Sequence, residues 1–144
     1  MRNDEGSAAL EFITAGLVLL VPLVYLVLAL GQIQQQTLGV EAAARHTARA
    51  ISLAPDPQTA ADRSAEILDG VIDEYGIKPD TVEIVTSCRP AGRACPSAGV
   101  TVTVTVSARV DLPLVPPVLG LDRASAVPVS ATASQLLPRT WGAG

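Results

Sequence analysis

Few side chains in this chain could do chemistry, and their spacing narrows what that chemistry is. Glu11 stands in Gly6-Ser7-Ala8-Ala9-Leu10-Glu11-Phe12, with apolar residues on both sides. A carboxylate in such a place must reach an interface or find a cationic partner. At a helix N-terminus the helix dipole also favours it. Cys88 and Cys95 bracket Arg89-Pro90-Ala91-Gly92-Arg93-Ala94, where two strands would meet in a hairpin. A disulfide across that loop would stabilise by about 2–2.5 kcal/mol in the loop-entropy account. The spacing is not the C-x-x-C of a redox pair. His46 is the single histidine and lies in an alanine-rich stretch, where a surface or packing role outweighs a catalytic one. Asp62, Glu66, Asp69, Asp73 and Glu74 could be taken for a metal cluster, but they recur as the solvated face of a helix does. One histidine and two cysteines do not make the usual four-ligand zinc site. No P-loop, dinucleotide fingerprint, G-x-S-x-G or H-E-x-x-H is present. No base is placed to activate a serine. The residues therefore describe a non-enzyme, with no metal, no cofactor and no evident small-molecule substrate.

Composition places these residues on elements. The chain has 144 residues, a formal net charge of −4 and 3% aromatics. Neither a basic footprint nor a stacking surface for nucleic acid is available. Apolar residues make up 49% and charged residues 17%. The excess is concentrated between Phe12 and Gly31, twenty residues without a charge. As a helix that length spans a hydrocarbon core of about 30 Å, and membrane helices tolerate an internal proline such as Pro22. A cleaved secretory signal is the rival reading, with Ala29-Leu30-Gly31 as a passable cut site. Arginines flank the tract on both sides, so charge does not settle its orientation. The cysteines do: a disulfide persists outside the cytoplasm, which puts the C-terminal part outside and the N-terminus inside.

Beyond the tract, Gln32 to Thr37 is polar enough for a membrane exit, and Glu41 to Ile51 is strongly helix-forming. One helix over 8–51 would be about 66 Å long, half of it a stalk, with Gly39 a weak point. Asp56 before Pro57 reads as a helix start. Ala61, Ala65, Leu68, Val71, Ile72 and Tyr75 then recur at helical spacing. The period changes to two around Val82 and Ile84, in Val100 to Val110, and in Ala126 to Gln135. The expected fold is α+β and membrane-anchored. A long N-terminal transmembrane helix extends as a stalk, and a second, amphipathic helix packs on a small three-stranded, mostly antiparallel β-sheet. The expected organisation is a leader over 1–6, the transmembrane and stalk helix over 7–51, and an extracytoplasmic head over 52–144. Between the second and third strands, 111–121 is unusually apolar. It either folds back over the core or offers Leu114, Val115, Val118 and Leu119 to a partner. The tail from Pro138 is expected to be mobile, with Trp141 as an anchor on a neighbour.

A short polar leader ending in glycine, an acid fifth after it and an apolar helix are together the arrangement of type IV prepilins. GSAALEF with its apolar helix resembles the TadE-like branch of the tight-adherence (Flp-type) pilus system, whose members are minor pilins or pseudopilins. The resemblance implies cleavage by a prepilin peptidase between Gly6 and Ser7. It implies that Glu11, then the fifth residue, neutralises the free α-amino group of a neighbouring subunit. It further implies other pilin subunits, the pilus assembly machinery and the membrane as partners. The fibre would serve adhesion, surface colonisation or secretion. A minor pilin or assembly factor fits the length better than a major subunit. Three other readings stay open: a single-pass anchor with an extracytoplasmic binding head, a pseudopilin of a type II secretion system, and a secreted binding domain.

Overall fold

The computed structural model describes residues 5–113 and 125–143. Helix α1 runs unbroken over Glu5–Leu53, 49 residues, or about 74 Å at 1.5 Å per residue. Pro22 lies inside it without ending it. The run stops at Ala54-Pro55, and helix α2 starts at Pro57 and ends at Glu74. Asp56 caps it as its sequence position suggests: Thr59 donates its backbone N–H to Asp56 Oδ1 at 2.9 Å and its hydroxyl to Oδ2 at 2.7 Å. A 3-10 turn over Pro79–Thr81 leads into strand β1, Glu83–Arg89. Strands β2, Thr101–Val110, and β3, Val127–Leu136, complete one antiparallel sheet in the order β1-β2-β3.

Strand β2 explains the core. Its Val102, Val104, Val106, Ala108 and Val110 are buried on one face, as the alternation requires. The opposite face carries threonines that bond across strands. Thr103 meets Ser134 at 2.8 Å and Thr105 meets Thr132 at 3.1 Å.

The element lying on the valine face differs from expectation. The distal half of α1, not α2, packs along β2 and β3, and α2 packs chiefly against α1. The physical reason is side-chain size. Val40, Ala43, Ala44, Thr47, Ala48 and Ile51 form the buried face of α1, and three of these six residues are alanines, small enough for a close approach. A sheet only three strands wide offers room for one helix over its centre. The core of the head thus begins inside α1, upstream of 52–144.

Gly39 is part of this arrangement rather than a weak point. A Cβ there would fall 2.7 Å from both Cβ and Cγ of Tyr75 and 3.0 Å from Ile77 Cδ1. The glycine lets the end of α2 cross α1 at close range. Trp141 likewise departs from expectation. It is only 8% exposed and its indole N–H donates to the carbonyl of Ile51 at 2.9 Å. Leu137 N–H to the Val100 carbonyl, at 2.9 Å, holds the same end of the chain. The tail is fastened to its own head rather than to a neighbour.

These contacts fix direction. Ile51 lies by Trp141 and the start of β2. Gly39 lies by Ile77, one residue from Lys78, whose ammonium pairs with Asp111 just past the end of β2. α1 and β2 therefore run in opposite directions, and the end of β2 points toward the apolar half of α1.

Candidate functional site

Over residues 8–30 the apolar half of α1 is exposed, except for half-buried Tyr25 and buried Ala29. Leu10, Phe12, Ile13, Leu17 to Val21, Leu23, Val24, Leu26 to Leu28 and Leu30 are all exposed. Burying apolar side chains is worth roughly 1.5–3 kcal/mol each, so a bare rod of this kind demands a non-aqueous surrounding or a partner. The stretch Ala8–Leu53 has an apolar window of mean hydropathy 2.6, long enough to cross a membrane. Within it the hydroxyl of Thr14 donates to the Leu10 carbonyl at 2.7 Å, which satisfies that polar group internally.

Glu11 projects from this rod one turn before Ala15. It is exposed and has no hydrogen-bond partner among the described residues. The next cationic residue along α1 after Glu11 is Arg45, 34 residues on, or about 51 Å. Arg45 is engaged with Glu41. A charge to balance Glu11 inside an apolar phase must come from elsewhere than the head. The Gly6–Ser7 bond lies in the first turn of α1, which begins at Glu5.

Cys88 and Cys95 are joined in a disulfide, with Cα atoms 5.6 Å apart, between the end of β1 and the loop that leads to β2. That loop is also tied to the tail, by Gly99 N–H to the Pro138 carbonyl at 3.3 Å. His46 is exposed on α1 and serves no cluster. Asp62, Glu66, Asp69, Asp73 and Glu74 are exposed along α2, and among the described residues no group of carboxylates, histidines and cysteines is placed to hold a metal. The backbone and hydroxyl of Thr59 hold the Asp56 carboxyl below the usual carboxylate range. Leu114, Val115, Val118 and Leu119, the predicted contact residues, lie outside the described residues.

A second feature was not legible from patterns. Between α2 and β1 runs a groove of about 250 Å³, lined by Ala60 and Leu68 on one side and Ile84 and Thr86 on the other. Thr47 at its floor is 2% exposed, and its hydroxyl has no partner among the described residues. The sequence signal was slight: Thr47 holds a position on the alanine face of α1 where an apolar residue would fit.

The class these features define is an α+β head carried on a helix long and apolar enough to cross a membrane. Compared with known proteins, the chain matches no family model, no curated protein and no solved structure.

Proposed function

We propose that this chain is a pilin-like structural or assembly protein of a tight-adherence type pilus. It would enter the cell membrane once, with its N-terminus in the cytoplasm and its head outside. Cleavage after Gly6 leaves Ser7 as the new N-terminus, and the apolar half of α1 then packs beside its counterparts in other subunits. The observation that carries the reading is the division of α1. One face of its distal half is core to the head, while its proximal half is almost wholly apolar and, apart from half-buried Tyr25 and buried Ala29, exposed. A helix so divided fits a subunit that is anchored and then bundled.

Glu11 supplies the register in this reading. A free α-amino group titrates near pH 8 and is cationic at neutral pH. Burying it alone is costly, and so is burying the carboxylate alone. Pairing them between chains lets both enter an apolar bundle. The pair specifies axial position more than it adds stability.

N-terminal sequencing and intact-mass measurement of the protein from its native membrane test the reading together. Ser7 as first residue supports it. Intact Met1 favours a plain anchor with a binding head, and a start near Gln32 favours a secreted domain. Glu11→Ala should leave membrane insertion unchanged and impair incorporation into fibres; normal incorporation would remove the pairing role.

A further inference from the structure

Strand β1 is an edge. It pairs with β2 over Glu83–Arg89, and among the described residues nothing pairs with its other side. Folded proteins protect such edges with proline, lysine, bulges or a covering element, because unpaired N–H and C=O groups invite another strand. The opposite edge, β3, carries Pro128. Strand β1 has neither proline nor lysine, and its register with β2 is continuous over seven pairs. Ile84 and Val85 are 40% and 53% exposed. The groove beside α2 opens along the same strand, with Ile84 and Thr86 as its wall and the unpartnered Thr47 hydroxyl at its floor.

We propose that the edge of β1 takes an extended peptide segment of another protein as a fourth strand. Alternate side chains of that segment enter the groove between β1 and α2. Main-chain hydrogen bonds supply the affinity in this mode, and pockets for alternate side chains supply selectivity. The groove at about 250 Å³ admits one or two aliphatic side chains and excludes a helix. Charge gives the rest of the ligand's description. Residues 84–88 are uncharged, and exposed Glu83 and Arg89 stand at the two ends. The complementary segment has an uncharged, alternately aliphatic middle, a base opposite Glu83 and an acid opposite Arg89.

A second copy of β1 satisfies those charges when it pairs antiparallel. It does not satisfy the anchor. Because α1 lies along the sheet, such a pair would send the two apolar halves of α1 in opposite directions, and one membrane could not hold both. This exclusion rests on the membrane-anchored reading; the edge and the groove do not.

The test uses the full chain in detergent micelles and two fluorescent seven-residue peptides, EVTVTVR and RVTVTVE, which carry the charge pattern for the two strand directions. Anisotropy should show saturable binding of at least one. Methylating alternate backbone nitrogens in one frame should weaken it tenfold or more, while methylation in the other frame leaves it unchanged, because only one frame faces β1. Ile84→Lys should also weaken it tenfold, with the fold checked by Trp141 fluorescence. Absence of saturable binding up to 1 mM, or equal loss in both methylation frames, would overturn the proposal. Micelle adsorption would ignore both Ile84→Lys and the frame. A dimer in micelles that dissociates on Ile84→Lys would assign the edge to a second copy, against the proposal. None of these outcomes depends on cleavage after Gly6.

Discussion

Adding a single methyl group at Gly39 should destabilise the head, although the same change in an open helix stabilises it. In a helix interior Ala is favoured over Gly by about 0.8–1 kcal/mol. At Gly39 the new Cβ meets Tyr75 Cβ and Cγ at 2.7 Å, closer than such atoms approach. Tyr75 cannot simply swing away, since Cβ moves only with its backbone. That backbone is held by Tyr75 N–H to the Val71 carbonyl at 3.0 Å and by Ile77 N–H to the Ile72 carbonyl at 2.9 Å. Overpacking of this kind costs about 1–3 kcal/mol, so Gly39→Ala should lose about 1 kcal/mol net. Gly70, inside α2, supplies the control, because nothing lies within 4 Å of its added Cβ. Gly70→Ala should gain about 0.5–1 kcal/mol. For a head of about 100 residues, each kcal/mol moves the thermal midpoint by about 4–8 °C, so the two variants should separate by about 6–16 °C. The assay is thermal unfolding in detergent, read by the fluorescence of Trp141, the single tryptophan and a buried one. If both variants move in the same direction by similar amounts, the close crossing of α1 and Tyr75 is wrong.

Trp141→Phe removes the indole N–H that reaches Ile51 and should cost about 1–2 kcal/mol, measured by far-UV circular dichroism melts. A chain beginning at Gln32 should fold in solution with a cooperative urea transition. One beginning at Ser52 should not, because it lacks Val40, Ala43, Ala44, Ala48 and Ile51 of the core. Asp56→Ala should lower the melting midpoint at neutral pH. The folded carboxyl titrates below its ordinary value, so its contribution is complete above about pH 4 and is lost as pH falls through the folded value. Melts of wild type and variant should therefore converge in strong acid.

Much of this architecture is legible in the residues because several patterns there are unambiguous. The alternation of valine with threonine in 100–110 admits one strand and one buried face, and Asp56-Pro57 marks a helix start that the cap geometry reproduces. The helix that covers the valine face was not legible. Glu41–Ile51 and Pro57–Glu74 both offer apolar faces, and the choice turns on how closely each can approach, a property of Gly39 and the alanines acting together across elements. Trp141 was misleading for a similar reason: a lone aromatic in PRTWGAG gives no periodicity, and its slot exists only once α1 ends beside β2. At the candidate site the limits are different. Glu11 is conspicuous because it interrupts an apolar run, yet what it would pair with lies beyond the head of its own chain. The edge of β1 is marked in the sequence only by what is missing from it, proline and lysine.

The continuity of α1 has a mechanical consequence. A pull on the head is transmitted through one unbroken helix to its apolar N-terminal half, with no break in it between Glu5 and Leu53. Because that helix lies antiparallel to β2, an axial load draws it lengthwise across the valine face. Many side-chain contacts then resist sliding at once, instead of giving way one after another as they would if peeled. Closing the tail on Ile51 places a latch at the far end of the same track.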